Sequence, residues 1–535
     1  MKLNKEILLH KEQLTAEGFA LPEYDPAVVK KATQAEPVWL QLGAGNIFRA
    51  FLAGAAQKLL KDGLTDKGII VAEGYDYEIV DRLADYDDLT VNVTLRSSGD
   101  VDKEILASIT EYLKMDPDSP DFVRLQEILR APSLQLISLT ITEKGYSLVD
   151  NQGQLTGPVA EDFRNGPKKP ISYMGKIAAL LFTRFEAGQL PLAVVSMDNM
   201  SHNGEKLQKT LLRFADEWVK NGVAPKAFVE YLGVGKQVSF PWTMIDKITP
   251  RPDPSVEALL TKAGLSEMGP VETTKHTFVA PYVNGEETEY LVIEDTFPNG
   301  RPPLEKAGVI FTDRQTVNQV ETMKVTTCLN PLHTALAVFG CLLGYTSIHA
   351  EMKDTDLASL IKKLGYDEGL PVVVDPKIID PKQFIDEVIQ VRFPNPYIPD
   401  TPQRIATDTS QKLSVRYGET LKAYLRSDTL SVSNLKMIPL VFAGWLRYLT
   451  GISDDGTKMA LSPDPLLDQL TPLFVDFRLG TPFDAELLRN LLADEQVFGV
   501  DLNKIGLSAT VLKLFTEMSS SPGAVRTTIQ QVLAS

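Results

Sequence analysis

The sequence predicts an α/β protein in two parts, an N-terminal doubly wound parallel-sheet domain followed by a mostly α-helical C-terminal domain. Three observations predict it. A short apolar strand, Val38-Trp39-Leu40-Gln41-Leu42, runs into Gly43-Ala44-Gly45-Asn46-Ile47-Phe48-Arg49 and then into a helical pattern that lasts to Leu60. Strand and helix patterns alternate from there to about residue 295. Beyond about residue 310 long helical periodicities follow one another with few strand signals. At 535 residues the chain is too long for one core, and the expected division is 1–308 and 309–535.

The opening strand, turn and helix form the first βα unit of a dinucleotide-binding, Rossmann-type domain. Gly43 would permit the tight turn, and Gly45 would let a pyrophosphate approach the helix N-terminus. Phe48 stands where the usual fingerprint has its third glycine. The next strand, Gly68–Ala72, ends at Glu73 with Asp76 close behind. An acidic side chain there would hold a ribose 2′-hydroxyl and favour NAD over NADP, the alternative being a solvated strand end. Further strands are expected at Thr90–Leu95, Leu134–Thr142 and Leu190–Ser196, the last leading into Asp198-Asn199. Ligands of open α/β sheets bind beyond the carboxyl ends of strands, which places Asn199 for substrate or cofactor; the alternative is an Asx-turn. His202 reads as a loop residue. Residues 251–288 read as an elaboration at the domain edge, Val292–Asp295 as the close of the sheet, and Phe297–Pro303 as the linker.

The chemistry is expected between Glu321 and His333, where a lysine, an amide and an imidazole share one short segment ahead of an apolar helix. Asn330-Pro331 reads as an N-cap with proline in the first helical position, so Asn330 and His333 lie one turn apart. Lys324 precedes that start, and only a bend or a change of helical register would bring it to the other two. A partly dry lysine can exchange a proton with an alcohol, and an amide with a neutral imidazole can polarise a carbonyl. The competing reading is a capped core helix with a surface lysine. Arg404 and Lys412 are eight residues apart, so both could project from one side of a helix toward a carboxylated or polyhydroxylated ligand.

Composition excludes other classes. A net charge of −16 disfavours nucleic acid as a partner. Two cysteines, Cys328 and Cys341, make neither a disulfide framework nor a zinc cluster and fit a reducing cytoplasm. No signal-peptide pattern opens the sequence, and the longest apolar run falls short of the roughly 20 residues that span a bilayer. No membrane or metal is expected.

Gly43-Ala44-Gly45-Asn46 with Arg49, Thr142-Glu143-Lys144-Gly145-Tyr146, Ser196–Asn199 with Asn203-Gly204, Phe240-Pro241 with Met244–Pro250, Glu294-Asp295 with Phe297-Pro298 and Gly300–Pro302, and Lys324 with Asn330 and His333 occur in an order that resembles the mannitol dehydrogenase family. The resemblance runs from about residue 37 to at least 450. It implies metal-independent hydride transfer between NAD(H) and an open-chain ketose or keto-sugar acid. It implies Lys324 as general acid/base, Asn330 and His333 on the reacting oxygen, and Asn199 assisting. It also implies that Arg404 and Lys412 grip the far end of the substrate and that Glu321 relays protons. Gly43, Gly45, Asn46, Ile47, Phe48, Arg49, Glu73, Asp76, Thr142 and Asp246 would border the cofactor. The expected reaction is D-fructuronate to D-mannonate, with tagaturonate reduction, mannitol oxidation and a non-catalytic NAD-binding sensor as rivals, and the expected state is a monomer. The family places five positions from the lysine to the asparagine where this chain has six, and Pro331 replaces a common glycine; either a one-residue helical bulge absorbs the difference or the lysine geometry is altered, and the bulge is the favoured reading.

Overall fold

Six parallel strands carry the N-terminal half. They are β1 (Trp39–Leu42), β2 (Ile69–Glu73), β3 (Ile109–Lys114), β4 (Leu136–Leu139), β5 (Leu192–Ser196) and β6 (Val238–Ser239), arranged in the order β3-β2-β1-β4-β5-β6. This is the strand order of a doubly wound dinucleotide-binding sheet, with its reversal point between β1 and β4. Neighbouring side chains on each strand enter opposite cores. Leu40, Leu42, Ile70 and Ala72 face one, which is covered by the helices Pro120–Arg130, Tyr173–Glu186 and Asn203–Lys220. Trp39, Ile69 and Val71 face the other, together with the Ala53–Lys61 helix. Burial on both faces is why these strands read as continuous apolar runs.

The computed structural model describes residues 1–233 and 237–535. The chain divides into two compact units, Met1–Asn318 and Gln319–Ser535. The first unit holds more than the parallel sheet, and four expectations change. Thr90–Leu95 is a strand of a separate mixed sheet with Phe19–Ala20, Val101–Leu106 and Tyr282–Glu286. The 255–288 region is therefore no simple elaboration, because its last strand pairs in register with Thr90–Leu95. Tyr290–Glu294 does not close the main sheet. It pairs antiparallel with Thr243–Asp246 and parallel with Ile310–Thr312. Nor is Phe297–Pro303 a free linker: Asn299 donates to the carbonyls of Pro132 and Leu134, and Arg301 bridges Asp295 and Glu305 while lying over the Phe311 ring.

The second unit is built of helices. Its centre is the apolar helix Met437–Leu449, every residue of which is buried, as expected of a helix that is hydrophobic on all sides. The Glu368 carboxylate accepts from the N–H groups of Lys436, Met437 and Ile438 and so satisfies the start of that helix. Against it pack Ser508–Met518 and α2 (Asn330–Leu342), which continues from α1 (Arg314–Met323) through a π turn at Lys324–Cys328. The resulting 29-residue helix, Arg314–Leu342, is long and apolar enough by length and composition to cross a membrane, and most of it is buried within the protein. Residues 485–492 form only the short turns Ala485–Leu488 and Arg489–Leu492.

Candidate functional site

In the first unit the residues of interest gather at the carboxyl ends of β1, β2, β4 and β5. The Gln41 amide donates to the carbonyls of Leu42 and Gly43 and to the Thr140 hydroxyl, which pins the glycine turn to the strand beside it. Gly43 has φ +95°, and a Cβ there would lie 2.4 Å from the Thr140 carbonyl oxygen. Only glycine fits. Gly45 differs, because a Cβ added to it would meet no protein atom within 4 Å. Packing does not require glycine at 45, whereas the close approach of a pyrophosphate does. On that observation the turn fits a dinucleotide.

Not every residue expected around the turn faces outward. Phe48 is fully buried in the core, with Ile47 packed against the same cluster, and a π turn over Phe48–Leu52 makes room for it. Arg49 is 1 % exposed and donates to the Ala280 carbonyl at 2.8 Å and to Asn46 Oδ1 at 3.1 Å. Burial lowers its pKa. Asn46 in turn donates to the Pro250 carbonyl. Arg49 is thus a strut that holds Asn46 rather than a direct phosphate ligand. Glu73 accepts from the N–H groups of Ala44, Tyr75 and Asp76. Among the described residues its Oε2 takes only the Ala44 donor, which leaves acceptor capacity for a hydroxyl. Asp76 is a correction. Its carboxylate is buried under the hairpin Val271–Glu272/Phe278–Val279, where it accepts from the Thr273 hydroxyl at 2.6 Å, so it latches the hairpin and does not face a ribose.

Asp198 binds the ends of β4 and β5 together, accepting from the N–H groups of Ile141 and Thr142 and from the Tyr146 hydroxyl. Thr142 is held there at φ +65°. Burial raises the pKa of Asp198 against these bonds. Asn199 follows and is exposed. Asn203 closes the loop, its amide bonding to Asp198, Thr243 and Gly204. His202 has φ +52° and stacks on Trp242. Asp246 ends its strand, buried.

In the second unit Lys324 opens the π turn and is 3 % exposed. The Leu329 N–H donates to the Lys324 carbonyl five residues back, which inserts the extra residue counted in the sequence. The expected N-cap at Asn330 is corrected: α1 runs through the π turn into α2, Asn330 lies in the first turn of α2, and no side chain caps it. A proline in the first turn suits a helix start, and here a restart after a π turn, where its missing N–H leaves an upstream carbonyl to find another donor. Asn330 and His333 remain one turn apart, and half-buried Glu321 lies three residues before Lys324.

The His333 ring is 16 % exposed and tilts against Phe393. Its Nε2 is 3.3 Å from Asp400 Oδ2 without the alignment of a hydrogen bond. Burial lowers the His333 pKa, Arg416 and Arg404 lower it further, and Asp400 opposes them, so the imidazole is held neutral. Burial works against the Asp400 carboxylate, but its partners, the Arg404 cation among them, outweigh it and keep the pKa below the usual range. Arg404 also pairs directly with Asp400. Lys412 donates to the carbonyls of Ile405 and Thr407, and burial together with the neighbouring Arg416 brings its pKa down to about 8.

Arg404 and Lys412 do not share a helix, which corrects the spacing argument. Arg404 sits on the four-residue helix Pro402–Ile405; Asp408 then turns at φ +56°, and Asp464 binds the Ser410 N–H and hydroxyl to hold the turn. Sequence reasoning missed Asp400 and Arg416. Each stands four residues outside the Arg404–Lys412 pair, a spacing that could have drawn notice. Among the described residues no group of three or more His, Cys, Asp or Glu is placed to hold a metal ion.

Known proteins match this arrangement over nearly the whole chain. The mannitol dehydrogenase Rossmann domain matches residues 38–306 and the mannitol dehydrogenase C-terminal domain residues 316–518. The chain is 51% identical over 537 residues to D-mannonate oxidoreductase of Thermotoga maritima, covering 100% of this chain and 99% of that protein. It is 31% identical over 441 residues to mannitol 2-dehydrogenase of Cereibacter sphaeroides, covering 81% and 84%. Among solved structures it is similar to Pseudomonas fluorescens mannitol 2-dehydrogenase in ternary complex with NAD and D-mannitol, at 28% identity and a TM-score of 0.71 over 100% of both chains. A substrate-free D-sorbitol dehydrogenase gives 25% and 0.78, over 98% of this chain and 100% of that one.

Proposed function

The chain belongs to the mannitol dehydrogenase family, as an NAD-dependent oxidoreductase of secondary alcohols, and on that premise we propose that it interconverts D-fructuronate and D-mannonate. The observation that carries the substrate choice is the 51% identity over full length to a D-mannonate oxidoreductase, against 31% to a mannitol 2-dehydrogenase. The cations Arg404 and Lys412, with Arg416 between Lys412 and His333 in electrostatic reach, support a substrate that ends in a carboxylate.

In this reading Gly43, Gly45, Asn46, Glu73, Thr142 and Asp246 hold the dinucleotide. When bound, NADH supplies the hydride. Lys324, as ammonium, donates a proton to the carbonyl oxygen as it becomes an alkoxide, and as free amine takes it back in the oxidation direction. The Asn330 amide and the neutral His333 ring each offer an N–H to that oxygen, a role Asn199 assists. Arg404 and Lys412 orient the substrate through its carboxylate. Glu321 exchanges the Lys324 proton with solvent. No metal is needed in this scheme, because side-chain donors carry the polarisation. The π turn accounts for the additional residue between Lys324 and Asn330. The reading also places the enzyme in the cytoplasm as a monomer, which light scattering of the pure protein checks for the monomer.

Steady-state assays with NADH and D-fructuronate, D-tagaturonate or D-fructose test the substrate. The highest kcat/KM is expected with D-fructuronate, and activity confined to fructose would remove the uronate assignment. Lys324→Ala is expected to lose orders of magnitude in kcat with NADH binding little changed. A variant that still turns over would leave Lys324 without a catalytic part.

A further inference from the structure

Two π turns meet in the helical unit. Ser414–Gly418 packs against Lys324–Cys328, the turn that carries the lysine. In the π register shown by Leu329 and Lys324, the carbonyl of Thr326 would look to residue 331 for its donor, and Pro331 has none. Thr420 supplies one from outside, with its hydroxyl 3.2 Å from the Thr326 oxygen. The Tyr417 hydroxyl donates to the Pro331 carbonyl at 2.6 Å. Arg416 Nη1 reaches the Asn330 carbonyl at 3.5 Å and also donates to the Thr334 hydroxyl. Three donors from one short stretch, Arg416, Tyr417 and Thr420, thus bind the backbone where the helix changes register.

Arg416 does more than the other two. It is largely withdrawn from water, and burial brings its pKa down to about 10. Neither of its bonding partners is a carboxylate, so its charge acts on its neighbours. His333 is faced by Asp400, Arg404 and Arg416, and Lys412 by Arg416, Arg404, Asp408 and Asp464. Arg416 belongs to both sets.

We infer that Arg416 is a positioning residue for the reaction: it holds the Asn330 backbone, and with it the amide, in the restarted helix, and its charge sets the electrostatic environment of His333 and Lys412. The inference rests on the reading of Lys324, Asn330 and His333 as the catalytic group.

The test measures kcat and KM for D-fructuronate with NADH between pH 5.5 and 9.5 in wild type, Arg416→Gln and Arg416→Lys. NADH binding by fluorescence and thermal melting are followed in parallel. Arg416→Gln is expected to lower kcat by roughly 10- to 100-fold, the usual scale for one hydrogen bond to a charged group, with NADH affinity within about twofold of wild type. Loss of a cation makes both neighbours easier to protonate, so both breaks in the pH profile, His333 on the acid side and Lys412 on the alkaline side, are expected to move to higher pH. Arg416→Lys keeps the charge and is expected to return both breaks to their wild-type positions while regaining only part of kcat. Breaks that stay where they are in Arg416→Gln would overturn the inference, as would equal losses in Gln and Lys that follow the melting temperature. If Arg416→Gln does not fold, Thr334→Val removes only the hydroxyl that anchors the guanidinium; a fall in kcat smaller than tenfold supports the inference and an unchanged kcat opposes it. Lys324→Ala separates the two readings. If that variant turns over normally the catalytic assignment fails, whereas an inactive Lys324→Ala beside an unshifted Arg416→Gln profile defeats only the role of Arg416.

Discussion

Asp400 and His333 stand 3.3 Å apart, carboxylate Oδ2 to imidazole Nε2, off the line of a good hydrogen bond, while the other oxygen of the same carboxylate pairs with Arg404. One anion therefore sits between the imidazole on one side and the Arg404 guanidinium on the other. Asp400→Asn removes the charge and keeps the shape. The variant is expected to lose roughly 10- to 100-fold in kcat/KM, the scale of one charged hydrogen bond, with NADH binding retained. Stopped-flow and steady-state kinetics read both quantities, and an unaltered kcat/KM would show that Asp400 is only structural.

Lys412 carries its charge below a pKa of about 8 and loses it above. A carboxylate substrate needs that charge. KM for D-fructuronate is therefore expected to rise as pH goes from 7 to 9.5, by at most about tenfold per unit once the pKa is passed. Lys412→Arg, which cannot lose its proton in this range, is expected to flatten the curve. A KM that is level across the range in wild type would separate Lys412 from the substrate.

Gly43 and Gly45 make a contrasting pair. Gly43→Ala forces a Cβ onto the Thr140 carbonyl at positive φ and is expected to destabilise the first unit by at least about 1–2 kcal/mol, visible in the melting temperature. Gly45→Ala meets no protein atom and is expected to melt like wild type. Its affinity for NADH is nevertheless expected to fall by on the order of tenfold or more, measured by titration calorimetry. Unimpaired NADH binding in Gly45→Ala would mean that no pyrophosphate passes this turn.

Glu351 is fully buried on a short helix, with neither carboxyl oxygen hydrogen-bonded, and burial raises its pKa well above the usual value, helped by Asp354. Its folded form therefore holds a proton that the unfolded form releases above about pH 4.3. The native state binds the extra proton, so this group subtracts stability as pH rises, by up to about 1.4 kcal/mol per unit until the folded pKa is reached. Glu351→Met is expected to be more stable than wild type by a margin that widens from pH 5 to pH 8. Thermal melts at the two pH values decide it, and a constant margin would show that Glu351 ionises in the folded state.

The glycine turn was legible in the sequence because its demands are local: a strand that ends, a backbone angle only glycine accepts, and a helix that starts. The one-residue surplus between Lys324 and Asn330 was legible only against the family resemblance, which sets five positions where this chain has six, and the π turn absorbs it. Local reading failed where partners lie far along the chain. β3 went unread because Thr110, Glu111 and Lys114 dilute its apolar run at the sheet edge, where only one neighbour supplies hydrogen bonds. Asp76 looked like a ribose ligand until the hairpin that supplies Thr273 folded over it. The Asn330-Pro331 pair looked like a beginning because a cap and a restart use the same residues, and the helix before it was broken only in register. Arg404 and Lys412 were separated by Asp408, whose left-handed backbone no spacing rule foresees.

The bond from Arg49 to the Ala280 carbonyl spans 231 residues, and that from Asn46 to Pro250 spans 204. On a ribosome adding about 5–20 residues per second, the opening βα unit emerges roughly 10–50 s before the acceptor of its interior guanidinium exists. A nascent chain halted near residue 250 would carry every glycine of the nucleotide turn and still lack the carbonyl that seats Arg49. Competence to take up a dinucleotide is thus acquired late in translation, although the residues that announce it are made among the first.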